Sequence, residues 1–224
     1  MEQGNIEDYV YDKLKNAIFK RTLRPDTRLV ETKIAGQLGV SRTPVRAAIK
    51  RLTHDGYVKY IQNRGASIVK PTRQEIYDTF EVRMEIEKIA VRKAINRVTN
   101  AAILKLEDLI AKEMETFNRR DIGVYYNLNY DLHLGIASLS GNPVLEDYLS
   151  KIIYRSQIFL ILYENFYQLE NNPSYPEHRQ IIKTLKLGNL TLAEAAVEEH
   201  IHSTLKGLKL EEDYRKPEDR QLVL

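Results

Sequence analysis

The chain has 224 residues, which is enough for two modest domains, and its formal net charge is only +3. It contains no cysteine, so disulfides and thiolate metal sites are excluded. It also has no apolar run of about 18 residues, and we therefore expect no transmembrane helix. Residues 1–5 lack the basic and apolar regions of a signal peptide, so we expect a cytoplasmic protein.

Charge is unevenly distributed along the chain. Residues 1–72 contain 14 Lys and Arg against 7 Asp and Glu, whereas residues 73–224 contain 20 against 24. A basic domain can neutralise phosphates and release counterions when it binds DNA, and an acidic domain is repelled from DNA. With a boundary near Pro71, the sequence predicts a DNA-binding domain at residues 1–71 and a second domain at residues 72–224.

Two helices are predicted at the start of the first domain. Apolar residues recur with helical spacing between Tyr9 and Ile18, and residues 31–38 form a short second helix. Gly39 follows this helix, and glycine suits the left-handed backbone that often ends a helix. The helix at residues 31–38, this turn and the helix that follows it together indicate a helix-turn-helix.

The third predicted helix begins after Ser41, whose hydroxyl is a suitable N-cap, and has Pro44 in its first turn. Its apolar positions predict one buried stripe, formed by Val45, Ala48, Ile49 and Leu52. The exposed start of the helix is polar and basic, which is typical of a recognition helix that contacts base edges and phosphates. A capped surface helix with ordinary arginines is the alternative interpretation.

A β-hairpin wing is predicted after the third helix. Residues 57–61 and 66–69 are rich in β-forming side chains and flank a turn of Asn63, Arg64 and Gly65. Arg64 at the tip can reach a minor groove or a phosphate, or it is simply a solvated loop arginine. The predicted DNA-contacting residues are Arg28, Thr32, Ser41, Arg42, Thr43, Arg46 and Arg64.

The remainder of the chain predicts helices only. Their expected spans are 74–97, 100–117, 121–140, 144 to about 167, a helix after Pro176 up to Gly188, and 190 to about 208. The charged tail, residues 211–224, is expected to be loosely held. The predicted fold is therefore mainly α: a winged helix-turn-helix followed by an antiparallel bundle of six to seven helices.

The chain resembles the GntR-family transcription regulators of the FadR subfamily, whose helical ligand-binding domain is called FCD. The motifs that carry the resemblance are residues 29–31 and 39–46 in the helix-turn-helix, 63–65 in the wing, and residues 81–87, His133, 140–142, His178, 188–189 and His200 in the helical domain. The resemblance implies a homodimer that binds a palindromic operator and responds to a small effector, usually an organic acid or a sugar acid. By the same analogy, we expect repression that the effector relieves.

The resemblance also implies a divalent metal in the helical domain. Many members of the subfamily hold the metal through an Asp and three His; the histidines correspond to His133, His178 and His200, and the Asp position is Asn129 here. Imidazole nitrogens suit Zn²⁺ or Ni²⁺, but a neutral amide offsets none of the metal charge. We therefore expect weaker binding, or dependence on an effector carboxylate. Partly buried structural histidines are the alternative.

Three further residues are predicted to bind the effector. Arg83 lies in the Glu-x-Arg motif of the resemblance, and Arg155 lies in an otherwise apolar helix. A guanidinium that faces a cavity can bind a carboxylate through two hydrogen bonds, although a salt bridge to a neighbouring Glu explains Arg155 equally well. Tyr130 is expected to line the same cavity.

Two other functions are compatible with parts of the sequence. A metal-dependent enzyme can use a histidine cluster that keeps an open coordination position, but no catalytic motif is present and the basic winged domain would have no explanation. An effector-independent DNA-binding protein would leave about two-thirds of the chain with only a dimerisation role. Both explain less of the sequence than an effector-controlled regulator.

Overall fold

The structure is a computed structural model that describes residues 3–62, 65–164 and 166–210. They form two compact units. The first contains the described residues up to Thr72 together with Ile161–Tyr163, and the second contains Arg73–Leu160 and most of the chain from Glu164 to Lys209. Across these described ranges, no helix is both long enough and apolar enough to cross a membrane. Arg64 and the charged tail at 211–224 lie outside the described residues.

The first unit is a winged helix-turn-helix. Its elements are α1 (Gln3–Phe19), α2 (Glu31–Leu38), α3 (Arg42–His54), β1 (Val58–Ile61) and β2 (Gly65–Ile68). Helix α3 packs against α1, α2 and β1. The two strands pair antiparallel, with Val58 opposite Ile68 and Ile61 opposite Gly65, which confirms the predicted hairpin.

The turn between α2 and α3 has the predicted left-handed residue, because Gly39 has a φ of 65°. The predicted stripe of α3 is fully buried. The prediction that the Ser41 hydroxyl caps α3 is wrong. Ser41 has the extended backbone of an N-cap residue, but its hydroxyl makes no cap hydrogen bond. An N-cap oxygen accepts from the second or third helical N–H, and the third residue of α3 is Pro44, which has no N–H to donate.

The second unit is a helical bundle. Its elements are α4 (Arg73–Ala94), α5 (Asn100–Asn118), α6 (Ile122–Leu139), α7 (Pro143–Tyr163, whose last three residues are grouped with the first unit), a 3₁₀ turn (Phe166–Gln168), α8 (Ser174–Lys186) and α9 (Leu190–Gly207). Helix α4 packs against α6 and α9, α5 packs against α6 and α8, and α8 packs against α9. One apolar cluster joins α4, α6 and α7 through Ala90, Ala137, Leu145, Leu149 and Ile153.

Three helix boundaries differ from the prediction. Helix α4 ends at Ala94 rather than at Arg97. Helix α7 ends at Tyr163 rather than near 167, because Glu164 has extended backbone and its carboxylate accepts a 2.7 Å hydrogen bond from the Tyr126 hydroxyl. Helix α8 begins at Ser174, so Pro176 lies inside its first turn rather than before it. A proline is tolerated there because the first-turn N–H groups have no partner within the helix.

Candidate metal centre and nucleic-acid interface

Three imidazoles from three helices meet in the interior of the second unit. His133 lies on α6, His178 on α8 and His200 on α9, and all three side chains are buried. Their ring centroids are 4.7 to 5.2 Å apart. One nitrogen from each ring lies within 4.8 Å of the other two. The structure therefore brings together the three histidines that the sequence places on separate helices.

Each imidazole is held by a carboxylate from a neighbouring helix. The Nδ1 atom of His133 lies 2.8 Å from an oxygen of Glu87 on α4. That of His178 lies 2.9 Å from Glu113 on α5.

The third pair joins α9 to α8, because the Nδ1 atom of His200 lies 2.8 Å from an oxygen of Glu177. Carboxylates that hold the second nitrogen of a histidine fix the ring orientation in many metal sites. All three histidines therefore share one arrangement, with Nδ1 turned towards an acid and Nε2 left for another partner.

The sequence reasoning missed these three acids, although one of them left a signal. Glu113 lies on the buried stripe of α5 between Ile110 and Phe117, where an apolar residue is expected. A charged residue in an apolar stripe is seldom buried without a partner. The partner of Glu113, however, lies on another helix and is not defined by any local pattern.

The charges in the cluster favour ionised carboxylates at Glu87 and Glu113 and neutral imidazoles at His133 and His200. Burial raises the pKa of Glu87, but His133 and Arg83 outweigh that effect and lower it to about 2. Burial also opposes ionisation of Glu113, yet its pKa is lowered by His178. Burial lowers the pKa of His133 and, helped by the neighbouring positive groups, that of His200. An ionised carboxylate only accepts hydrogen bonds, so the Nδ1 atom that faces it donates, and the Nε2 atom of a neutral ring keeps its lone pair.

The donor set fits a divalent metal. The Nε2 atoms of His133 and His178 are buried and have no hydrogen-bond partner among the described residues. A buried polar atom without a partner costs about 1–3 kcal/mol of folding free energy. Two such atoms side by side are therefore costly unless a ligand binds to them. Neutral imidazole nitrogens are good ligands for Zn²⁺ and Ni²⁺, and Zn–N bonds are about 2.0–2.1 Å long.

Arg83 lies beside the histidine cluster and is connected to it. Its side chain is buried, and its Nε atom donates a 2.6 Å hydrogen bond to the Glu87 oxygen that His133 does not use. Its Nη1 atom donates to the hydroxyl of Ser156 at 3.0 Å. Its Nη2 atom is buried without a partner among the described residues. Glu87 therefore bridges the guanidinium and a histidine of the cluster.

The other predicted ligands are placed differently. Asn129 is buried one turn before His133, and its amide helps to lower the pKa of Glu113, so it lies beside the cluster. Tyr130 is half-buried and packs against the apolar cluster of α4, α6 and α7. The structure does not bring Arg155 to the histidines. It is exposed, with its guanidinium 5.9 Å from the ring centroid of Phe159.

The placement of Arg155 follows from helix geometry. Successive residues of a helix are rotated by about 100°. Ser156 is fully buried and accepts the hydrogen bond from Arg83, so the preceding residue on α7 is turned towards the exterior of this chain. The structure therefore places Arg155 away from the histidine cluster, and its role in effector binding stays a prediction.

The predicted DNA-contacting residues lie on the exterior of the first unit. Every one that the structure describes is exposed: Arg28, Thr32, Ser41, Arg42, Thr43 and Arg46. The side chains of Arg42 and Arg46 are 59% and 63% exposed, yet both bind the carboxylate of Glu31 at the start of α2. The sequence reasoning did not foresee this contact, because the residues are more than ten positions apart.

A basic winged helix-turn-helix joined to a helical domain with a buried ligand-type cluster is the architecture of a DNA-binding transcriptional regulator. Residues 6–68 match the profile of the bacterial regulatory proteins of the gntR family, and residues 78–203 match that of the FCD domain. The chain therefore belongs to the GntR family, with an FCD domain after its DNA-binding domain. Members of this family are transcriptional regulators and not enzymes.

Several known proteins are similar to this chain. The HTH-type transcriptional regulator YdhC of Bacillus subtilis is 29% identical over 201 residues, which cover 89% of each chain. The Nta operon transcriptional regulator of Aminobacter aminovorans is 34% identical over 122 residues, which cover 54% of this chain and 58% of the relative. The solved structure of Escherichia coli McbR/YncC covers 90% of this chain and 95% of its own, with a TM-score of 0.63 and 21% identity. That likeness supports the fold.

Proposed function

We propose that this regulator is a cytoplasmic, homodimeric repressor that binds a palindromic operator and is controlled by a small carboxylate effector, with a divalent metal in the helical domain. The observation that supports the ligand site is the set of buried, unpartnered polar atoms on His133, His178 and Arg83. Unpaired imidazole acceptors suit a metal cation, and an unpaired guanidinium donor suits an anion. Together they favour a metal and a carboxylate bound side by side.

In this proposal, His133, His178 and His200 hold Zn²⁺ or Ni²⁺ through their Nε2 atoms. Asn129, one turn before His133, is the proposed fourth protein ligand. A bound ion supplies open coordination positions for water or for an effector carboxylate. Because the four protein ligands are neutral, the anion contributes the charge that the usual Asp would contribute. Arg83 orients the anion through its unpartnered Nη2 atom.

The metal site is tested by equilibrium dialysis of Zn²⁺ or Ni²⁺ into the full chain after chelator treatment. We expect about one ion per chain, and at least tenfold weaker binding in the His178→Ala variant, because ligands and their supporting residues each affect affinity strongly. His202→Ala is the matched control, since His202 is exposed on α9. Equal affinity in the His178→Ala variant and the wild type would contradict the proposed ligand set.

The effector is tested by thermal shift of the metal-loaded protein with small mono-, di- and tricarboxylates. We expect at least one acid to raise the melting temperature of the wild type. Arg83→Lys should abolish that shift, because lysine keeps the charge but its single ammonium lacks the separate donor atoms that serve Glu87, Ser156 and the anion. A shift of unchanged size in this variant would exclude Arg83 from the anion site.

The recognition helix is tested on a DNA duplex that the wild-type protein selects from a random library. We expect Arg42→Ala and Arg46→Ala each to weaken binding by about 1–3 kcal/mol if the arginine contacts a base. Lys13→Ala is the control, because Lys13 is exposed on a different helix. Unchanged affinity in both arginine variants would contradict the assignment of α3.

Dimerisation is proposed to rest mainly on residues after 73. The bundle exposes large apolar side chains on α7, where Val144 is 63% and Tyr148 is 62% exposed. Helix-turn-helix dimers read half-sites related by two-fold symmetry. Sedimentation of the full chain at micromolar concentration should show a dimer that Tyr148→Glu weakens. Leu104→Glu, at an exposed site on α5, is the control, and a monomeric wild type would overturn the proposal.

A further inference from the structure

One carboxylate joins the two arginines at the start of the recognition helix. The Nε and Nη2 atoms of Arg46 donate to the two oxygens of Glu31 at 3.0 and 2.9 Å. The Nη2 atom of Arg42 donates to Glu31 Oε2 at 3.0 Å. The two arginines are four residues apart on α3 and therefore share one face of the helix. Glu31 is the first residue of α2, so the contact also links the two helices of the DNA-binding motif.

The contact leaves the arginines able to bind DNA. A guanidinium has two edges that each offer a pair of N–H groups, the Nε side and the end formed by both Nη atoms. Glu31 occupies the Nε side of Arg46, and the end remains. A guanine presents O6 and N7 to such a pair of donors in the major groove. Arg46 can therefore bind the carboxylate and a base at the same time.

The contact is poorly suited to stabilising the fold. The arginine side chains are 59% and 63% exposed, and the Glu31 side chain is 20% exposed. Exposed ion pairs contribute only about 0–1 kcal/mol to stability, because water and salt compete with them. What the contact does provide is orientation of two long side chains, and it lowers the positive charge of this face from two to one.

We propose that Glu31 is a positioning residue for sequence readout, which holds Arg42 and Arg46 towards the base edges and limits their attraction to phosphates of any sequence. The proposal rests on the base contacts assigned to these arginines under the proposed function. Orientation favours the specific complex, because fewer rotamers must be lost when the base contact forms. Reduced charge weakens non-specific binding, which is mainly electrostatic. Both effects raise the ratio of specific to non-specific affinity.

The test compares Glu31→Gln with Asp12→Asn in the full chain. Asp12 is exposed on α1, so its replacement changes the net charge equally without touching α3. Affinity is measured on the duplex that the wild type selects and on a scrambled duplex of the same composition, over a range of salt concentrations. Circular dichroism and melting of each variant show whether the fold is retained.

We expect Glu31→Gln to lower the ratio of selected to scrambled affinity by about tenfold, the size expected for one weakened base contact. Its affinity for the scrambled duplex should rise, with a salt dependence steeper by up to about 0.9 in the log–log slope. Asp12→Asn should leave the ratio unchanged. In an Arg46→Ala background, the effect of Glu31→Gln on this ratio should shrink, because the Arg46 side chain that Glu31 positions is absent.

Three outcomes would overturn the proposal, and they are distinguishable. If the wild type selects a preferred duplex but Glu31→Gln changes both affinities by the same factor, Glu31 has no positioning role. If the wild type selects no preferred duplex, the base contacts of Arg42 and Arg46 fail, and the role of Glu31 fails with them. A Glu31→Gln variant that binds the selected duplex more tightly than the wild type, with an undiminished ratio, would instead indicate an inhibitory contact.

Discussion

The two units of this protein use the same chemistry in opposite surroundings. At the surface of the first unit, Glu31 holds two guanidiniums at 2.9 to 3.0 Å. Inside the second unit, glutamates hold three imidazoles at 2.8 to 2.9 Å. The distances are alike, but water competes with the first contact and is excluded from the pairs of Glu87 and Glu113, whose side chains are at most 5% exposed. The comparison indicates that a carboxylate can orient a functional nitrogen in either place, and that its effect on stability depends on burial.

The largest expected effect is on stability in the helical domain. Glu87→Ala should lower the free energy of unfolding by about 3–5 kcal/mol, because it leaves Arg83 as a buried charge without its partner. Glu85→Ala is the matched control on the same helix, since the Glu85 side chain is 57% exposed in a surface pair with Lys88. Urea unfolding measures both. A loss below about 1 kcal/mol for Glu87→Ala would remove the contrast between the buried and exposed sites.

The second effect concerns metal affinity. Glu113→Gln should weaken Zn²⁺ binding by about 10–100-fold, because the carboxylate that orients His178 becomes a neutral amide. Glu107→Gln, at an exposed position on the same helix, should leave the affinity unchanged. Competition with a chromophoric chelator measures both variants. Identical affinities would show that the buried acid does not support the ligand.

A smaller effect is expected from Glu164, whose carboxylate accepts a hydrogen bond from the Tyr126 hydroxyl. Burial raises the pKa of Glu164, and the hydrogen bond from Tyr126 offsets this in part. A carboxyl whose pKa is raised by folding stabilises the fold while it is protonated, and this contribution is lost as the pH rises through the folded-state pKa. The ionised carboxylate of Glu164 therefore destabilises the folded state at neutral pH.

Glu164→Gln should accordingly raise the free energy of unfolding at pH 7, by about 1 kcal/mol or less. The gain should shrink towards pH 4, where the wild-type carboxyl is protonated. Glu170→Gln, at an exposed position in the same connection, is the control. Chemical unfolding over a range of pH measures this gain in stability. A gain that grows as the pH falls would contradict a raised pKa of Glu164.

The smallest expected effect concerns the exposed contact of Glu31 in the first unit. Glu31→Gln should change the free energy of unfolding by less than about 0.5 kcal/mol, the usual range for a surface substitution. The same variant is expected to change DNA discrimination. Thermal and urea unfolding measure the stability, and a loss as large as that of Glu87→Ala would show that the exposed contact is structural after all.

The sequence alone predicted the features that local patterns define. The left-handed Gly39 and the buried stripe of α3 both follow from residues close together in the chain, and the structure confirms them. The three histidines were selected by a family resemblance, and they lie together in the fold. Their metal remains a prediction.

The features that sequence reasoning missed depend on contacts between distant segments. Glu113 and His178 are 65 residues apart, and Glu31 and Arg46 are 15 apart. No periodicity defines which acid meets which base across two helices. The exposed position of Arg155 was missed for a related reason. The pattern of an apolar helix did not show that the neighbouring Ser156 takes the position facing Arg83.

The free hydroxyl of Ser41 has a consequence for how the recognition helix behaves on DNA. Pro44 is the third residue of α3, and no side chain caps the helix. The backbone N–H groups of Arg42 and Thr43 therefore receive no hydrogen bond acceptor from a capping side chain. A phosphate oxygen is the acceptor that such a helix start accommodates best. In the proposed operator complex, DNA would complete the first turn of α3. Amide hydrogen exchange at Arg42 and Thr43 should be fast in the free protein and slow in the operator complex.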